Sequence, residues 1–218
     1  MLKVIYRVIL GSVVLSLAGC VTPPPKKDYT ALRSMQPKSI LVLPPLNQSI
    51  EENASYSYLS TVTKPLAEMG YYVYPVAVVD AFLKENGLPT PGEMHQISLD
   101  KIDQIIGPDA VLYLTVLNYG SKYQVLDSST NVSARARLVD VKTGNELWSR
   151  TVTTVQSSSS GGGGIAEMLV AAAISQVINS SMDAGHGVSR TNNFRLFTES
   201  GQGLIYGHRN EKFGTDLN

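Results

Sequence analysis

Few side chains in this sequence are of the types that carry out chemistry. Cys20 is the only cysteine, and His95, His186 and His208 are the only histidines. The histidines lack the i, i+4 spacing of helical metal ligands, and no second thiol could join them in a zinc site. The Gly-x-Ser-x-Gly motif of one common serine-hydrolase arrangement is absent. We therefore predict no metal, no cofactor and no enzyme activity.

The surroundings of Cys20 predict a covalent modification. Lys3 and Arg7 precede an apolar stretch, residues 8–17, that is too short to span a bilayer as a stable helix. The following Leu17-Ala18-Gly19-Cys20 resembles the bacterial lipobox. This resemblance implies that diacylglycerol alkylates the thiol, that the chain is cut between Gly19 and Cys20, and that the new amino group is acylated. The alternative is an ordinary buried cysteine near a secretion signal.

Lipid on Cys20 would tie the rest of the chain to a membrane face. One acyl chain binds marginally, whereas several anchor stably, because each buried methylene contributes about 0.8 kcal/mol. Val21 stands where lipoproteins retained in the inner membrane commonly carry Asp. The resemblance therefore implies the outer membrane, with the domain at its periplasmic face and surface display as the alternative.

The sequence divides into four predicted parts. Residues 1–19 form a signal peptide, residues 20–37 the lipidated cysteine and a Pro-rich tether, residues 38–185 an α/β domain, and residues 186–218 a Gly/Asn-rich, loosely held extension. For the tether, the alternative is a short helical turn at Tyr29, Leu32 and Met35 that docks on the domain.

Net charge gives no reason to expect nucleic acid as a partner. The whole chain has 18 basic and 18 acidic residues, and removal of residues 1–19 takes away Lys3 and Arg7. The mature chain is therefore slightly acidic, with a net charge of −2. Nucleic-acid-binding domains instead carry basic patches or stripes.

A glycine run offers a weak nucleotide-binding motif. Residues 161–166 fit the Gly-x-Gly-x-x-Ala pattern between a predicted strand and a predicted helix. Asp183 has the spacing of the ribose-binding acid, but the residues before it do not form a strand pattern. The serines at 157–160 favour a flexible connector instead.

Hydrophobic patterning predicts an α/β domain with a single mixed sheet. A βαβ unit comprises strands 39–43 and 71–76 around a helix at 56–69, which Pro65 should kink or delay. An apolar central strand at 111–117 precedes an alternating antiparallel meander. The remaining predicted elements are helices at 78–86, at 98 or 100 to 106 and at 165–182, meander strands at 122–126, 131–141 and 146–156, and a strand at 193–197.

Two features of the strands bear on interactions. Alternation places Arg135 and Arg137 on one face of their strand, and the small residues between them on the other. Aromatic side chains are enriched where proteins meet, so Tyr72, Tyr74 and Trp148 are candidate interface residues. The alternative for them is core packing.

Three motifs carry a family resemblance over most of residues 38–182. They are Ile40-Leu41-Val42-Leu43-Pro44, residues 109–114, and residues 138–148 with the turn Lys142-Thr143-Gly144-Asn145. In this order they are similar to a family of uncharacterised bacterial lipoproteins related in fold to CsgG, LpoB and the amino-terminal domain of TolB. The resemblance implies a non-catalytic role in envelope assembly.

The chain has no long amphipathic insertion of the kind that builds a CsgG-type pore. We therefore expect an accessory or adaptor lipoprotein that contacts an envelope partner, such as a CsgG-like or transport component, or a second copy of itself. Two alternatives are the binding of a ligand such as a peptidoglycan fragment, and a divergent exported hydrolase.

Overall fold

The domain is built on a mixed sheet whose strands come from most of the chain. A computed structural model describes residues 27–123, 128–157 and 184–215. Its strands are β1 Ser39–Val42, β2 Leu46–Asn47, β3 Tyr72–Val73, β4 Ala110–Tyr123, β5 Ser128–Asp140 and β6 Glu146–Ser157. They are arranged in the order β3-β1-β4-β5-β6, and β2 pairs with β4.

Helices pack on both faces of this sheet. They are α1 Thr30–Met35, α2 Ala54–Leu59, α3 Thr63–Glu68, α4 Val76–Glu85, α5 Pro91–Met94, α6 Leu99–Ile105 and α7 Ala184–Thr198. Side chains of α4, α5 and α6 share one hydrophobic cluster, and those of α1, α2, α3 and α7 share the other. The predicted single-domain α/β class with a mixed sheet is confirmed.

The parallel half of the sheet confirms the predicted βαβ unit. β1 pairs in parallel with both β3 and β4. Its residues Ile40, Leu41 and Val42 are fully buried because helices cover both faces of the sheet here. Helices α2 and α3, between β1 and β3, cover one face, and helices α4 to α6, between β3 and β4, cover the other. The strands β1 and β4 therefore form the centre of the core.

Asp109 fixes the start of β4 to the start of β1. Its Oδ2 accepts hydrogen bonds from Lys38 N at 2.8 Å, Ser39 N at 2.9 Å and Ser39 Oγ at 3.1 Å. Asp109 N donates in return to Ser39 Oγ at 2.9 Å. Partial burial opposes ionisation, but these hydrogen bonds outweigh it and hold the pKa of Asp109 below its usual value.

Replacing Asp109 with asparagine should destabilise the domain at neutral pH. Because the carboxylate is largely exposed, solvent weakens its hydrogen bonds, and we expect the free energy of unfolding to fall by only about 1 kcal/mol. A carboxyl whose pKa is lowered by folding stabilises the folded state when the pH is above its unfolded-state pKa. This stabilisation is lost as the pH falls through the folded-state pKa. Urea midpoints of the two proteins should therefore differ at pH 7 and converge in acid, once the pH falls below the lowered pKa of Asp109. A difference that persists in acid, or one equally produced by E52Q in the exposed loop, would contradict this.

The antiparallel half confirms the predicted meander, except that the strands expected at 111–117 and 122–126 are one strand, β4. β5 pairs with β4 on one side and with β6 on the other. Ala134, Ala136 and Leu138 are buried, whereas Arg135 and Arg137 are exposed on the opposite face, as the alternation predicts. In the turn between β5 and β6, Gly144 adopts a φ of 71°, a left-handed conformation that glycine tolerates.

The predicted helix at 56–69 is in fact two helices, α2 and α3. Pro65 lies at the third position of α3, within the first turn, where a backbone N–H has no intrahelical acceptor to lose. Ser55 lies inside α2, and its hydroxyl donates to the Pro45 carbonyl. Ser98 caps α6, because its Oγ accepts a 3.4 Å hydrogen bond from Lys101 N.

The predicted tether does not extend to residue 37. Residues 30–35 form α1, and Leu32 is completely buried in the core. Tyr29 Oη donates to the Gly203 carbonyl at 2.7 Å. The alternative of a docked helical turn is therefore correct for Tyr29 and Leu32, whereas Met35 is exposed. One buried leucine and one long-range hydrogen bond hold this segment against the domain.

The predicted loose extension from residue 186 is wrong for most of its length. Residues 184–198 form α7, which includes the stretch at 193–197 that we expected to be a strand. Beyond it Leu204 and Ile205 are buried, and Gly207 N donates to the Met69 carbonyl at 2.7 Å. The packed domain therefore runs from Lys27 to at least Asn210. The predicted helix at 165–182 lies outside the described residues.

Helix α7 buries three polar side chains among the apolar Val188, Leu196 and Phe197. Ser189, Asn192 and Asn193 are fully buried between α2 and the sheet. Asn192 Nδ2 donates to the carbonyls of Val132 at 3.1 Å and Val152 at 3.0 Å, while its Oδ1 accepts from Tyr58 Oη at 2.8 Å. A helix with amides facing inward has no amphipathic pattern, which is why periodicity failed to find it.

Candidate docking groove

Helix α4 and two capped helices, α5 and α6, form the walls of an open groove on one face of the domain. Helix α4 supplies one wall, and the segment from α5 to α6 supplies the other. A capping box fixes α5, since Glu93 N donates to Thr90 Oγ1 at 3.3 Å and Thr90 N donates to Glu93 Oε2 at 3.0 Å. Together with the Ser98 cap, these bonds set the angle at which α6 returns along α4.

The groove has an apolar lining and a mixed polar rim. Its volume is about 600 Å³. Leu83 and Ile102 are buried at its floor, while Phe82 on α4 and Ile105 on α6 remain 37% and 64% exposed. Other lining residues include Leu88, Ile97, Ile106, Glu93 and Lys101. We call this site the docking groove, because exposed apolar patches of this kind commonly mark interaction sites.

Sequence reasoning missed the docking groove, although α4 carried a signal for it. Val79 and Leu83 face the core, and Val78 and Phe82 face outward, with Val78 64% exposed. Val78 and Phe82 thus give α4 a second apolar side, beside a polar side with the Asp80–Lys84 ion pair. An exposed apolar side of this kind is typical of an interaction site, and the described chain leaves it uncovered.

The described ends of the chain lie away from the docking groove. At one end, the Lys27 ammonium donates to the Ser149 carbonyl and sits 5.3 Å from the centre of the Trp148 ring. Near the other end, Asn210 Nδ2 donates to the Glu68 carbonyl of α3 at 2.7 Å. These contacts belong to the side of the sheet opposite α4 and α6.

The predicted aromatic interface is wrong for Trp148. This side chain is only 2% exposed, packs against Phe197 with ring centres 6.0 Å apart, and donates to the Gln202 carbonyl at 3.2 Å. Helix α7 and the tail cover it, and both belong to the region that the sequence predicted to be a loosely held extension. Tyr72 is 39% exposed, whereas Tyr74 is partly buried against the α4–α6 cluster.

The three histidines lie apart, each with different neighbours. His95 Nε2 is 2.9 Å from the Pro44 carbonyl, and its ring meets Tyr113 edge-on at 5.3 Å. Burial lowers the pKa of His95 despite its hydrogen bond to Pro44. His186 is 3.4 Å from Ser60 Oγ, and His208 is exposed. In the described ranges no three metal-binding side chains converge.

Several predicted positions lie outside the described residues. These are Gly19 and Cys20, the glycine run at 161–166 and Asp183. Lys27 is the first described residue after the lipobox, and burial lowers its pKa, with the nearby Arg150 adding to the effect. Among the described helices, none combines the length and apolar character needed to cross a bilayer.

Comparisons with known proteins agree with this architecture. The family described as Putative lipoprotein GNA1162-like matches residues 27–209. Putative lipoprotein NMB1124/NMB1162 of Neisseria meningitidis serogroup B (strain ATCC BAA-335 / MC58) is 44% identical over 204 residues, 92% of this chain and 95% of the relative. The crystal structure of lipoprotein GNA1162 from Neisseria meningitidis is 47% identical, with a TM-score of 0.54, over 66% of this chain and 99% of that one. The LpoB C-terminal domain from Salmonella enterica is 18% identical over 57% of this chain and 91% of that one, with a TM-score of 0.40.

Proposed function

The chain belongs to the GNA1162-like family of putative lipoproteins, and from this premise we propose that it is an accessory lipoprotein of the bacterial envelope. In this proposal lipid on Cys20 anchors it at the periplasmic face of the outer membrane, and it docks a partner protein. The observation that carries the docking role is the docking groove, which is apolar, open and uncovered by the described chain.

The proposed anchor keeps the domain close to the membrane. Only residues 21–26 separate Cys20 from Lys27, which already contacts β6. At no more than about 3.6 Å per residue, this segment spans at most about 25 Å. In this proposal Lys27 therefore stays within about 25 Å of the membrane surface, and the partner must reach the domain there.

We propose that the occupant of the docking groove is an amphipathic helix of the partner. A groove between two helices suits the apolar i, i+4 side chains of a third, and the rim of Glu93 and Lys101 suits its polar flanks. The described residues near both ends contact the other side of the sheet, Lys27 at Ser149 and Asn210 at Glu68, and they leave the groove uncovered. The partner is an envelope protein, such as a CsgG-like or transport component.

Charged substitutions in the docking groove should release the partner without unfolding the domain. In the double variant F82D/I105D, carboxylates replace two exposed apolar side chains, so a docked helix should lose at least 30-fold in affinity, about 2 kcal/mol. The measurement is co-purification of the lipidated protein with one partner at a fixed ratio after cross-linking. The melting temperature should change little.

The matched control is V155D, which adds the same charge at an exposed valine of the edge strand β6. This variant should retain the partner. Equal loss in both variants, or a complex that survives F82D/I105D, would contradict the docking proposal. If only a second copy of this chain were recovered, the groove would be a homodimer interface, and the proposed partner helix would be wrong.

A further inference from the structure

A second groove lies on the opposite side of the sheet, between α3 and α7. It has a volume of about 650 Å³. The side chains that line it include three that can be cationic, two hydroxyls and one aromatic ring: Lys64, His186, Arg190, Ser60, Thr191 and Phe194. We propose that this groove, which we call the basic groove, binds a small acidic saccharide.

Helix α7 presents three of these side chains in one row. His186, Arg190 and Phe194 follow each other at i, i+4 and i+8, so they share one face of the helix. Arg190 is exposed and has no ion pair or hydrogen bond in the part of the chain that the structure describes. The row thus aligns a free guanidinium with an aromatic ring along one wall.

Charge in the basic groove favours an anion. Among the described residues that line it, Glu68 is the only acidic one, and its carboxylate lies 3.7 Å from Lys64 in an exposed pair that contributes little. Arg190 therefore remains uncompensated, with His186 one turn away. A guanidinium recognises a carboxylate through two parallel hydrogen bonds, and such charge-assisted bonds are stronger than neutral ones.

Shape and the remaining lining favour a sugar over a simple ion. The groove is far larger than an inorganic anion, within the range of small-molecule sites. Phe194 is 53% exposed, so its ring offers an apolar surface to the C–H face of a pyranose. Ser60 and Thr191 supply hydroxyls for the sugar's own hydroxyl groups.

The floor of the basic groove is held in place before any ligand arrives. Thr61 is buried, its Oγ1 accepts from Asn193 Nδ2 at 2.7 Å, and it donates to the Tyr58 carbonyl at 2.8 Å. Pro65 is buried beside it. Because these groups are already ordered, a ligand loses less entropy in binding.

The test compares two sugars that differ by one lactyl ether, the group that carries the carboxylate. The full-length lipidated protein in detergent is titrated with N-acetylmuramic acid and with N-acetylglucosamine, and binding is followed by calorimetry or ligand-observed NMR. The acidic sugar should bind at least about tenfold more tightly, the effect of one charge-assisted contact. R190A and R190Q should each remove this preference, and F194A should weaken the binding of both sugars.

The control is R135A, which removes an exposed arginine on the other face of the sheet and should leave binding unchanged. Equal affinity for the two sugars, no binding of either, or equal effects of R135A and R190A would overturn the proposal. The outcome is independent of partner docking, since F82D/I105D should bind the acidic sugar as the wild type does.

Discussion

Replacing Cys20 with serine should abolish lipid attachment completely. A hydroxyl at this position cannot replace the thiolate nucleophile, and the chain has no other cysteine to accept the diacylglycerol. We expect the intact mass of the membrane-extracted protein to lack the acyl chains, and the signal peptide to remain uncleaved before residue 20. Incorporation of labelled palmitate should fall to background.

The stability of the folded domain should not change in C20S. Residue 20 lies before Lys27, where the described contacts begin, so C20S should melt at the wild-type temperature. The matched control V21D alters the neighbouring residue and should keep the lipid while shifting the protein towards the inner membrane. Palmitate incorporation in C20S, or its loss in V21D, would refute the assignment of Cys20.

Replacing Asn192 with alanine should cause the largest loss of stability. This amide makes four hydrogen bonds inside the core, including one of 3.1 Å to Thr154 Oγ1. The variant leaves the Tyr58 hydroxyl and two backbone carbonyls buried without their partner, and each such group costs about 1–3 kcal/mol. With partial relaxation we expect a loss of about 3–4 kcal/mol, or roughly 6–16 °C in melting temperature for a domain of this size.

The adjacent Asn193 provides a matched control. It is equally buried, but its Nδ2 makes one short bond, to Thr61 Oγ1, and one of 3.4 Å to the Tyr58 carbonyl. Its Oδ1 has no partner among the described residues. N193A should therefore cost about half as much as N192A, in urea unfolding with an unchanged slope. Equal losses would show that helix burial, and not the hydrogen-bond network, decides the stability.

Local patterns were sufficient to predict the central and antiparallel strands of the sheet, but not the short β2. The continuous apolar run at Ile40–Leu43 indicates burial on both faces, and alternation through residues 131–141 indicates one wet face. The first expectation holds at every residue, and the second holds for residues 134–138, because successive side chains of a strand point to opposite faces. At residues 139–141 both faces are covered. The positive φ of Gly144 follows equally from its turn.

The same reasoning failed where distant segments meet. Trp148 is of a residue type that is enriched at interfaces, but α7 and the tail, which lie about 50 residues later in the chain, bury it. Asn192 and Asn193 make α7 look like a polar loop, although carbonyls of β5 and β6 satisfy Asn192 inside the core. A buried polar group is stable only if its partners are in place, and no local pattern shows them.

The sequence by itself predicted the α/β class and the mixed sheet with its antiparallel meander, and it is the whole basis of our proposal that Cys20 is lipidated. Each depends on neighbouring residues: a four-residue motif, a period of two, or an apolar run between turns. Only the tertiary structure decided that residues 27–35 dock, that α7 completes the core, and where the two grooves lie. A groove exists where packed elements leave a surface uncovered, and that depends on every segment that could have covered it.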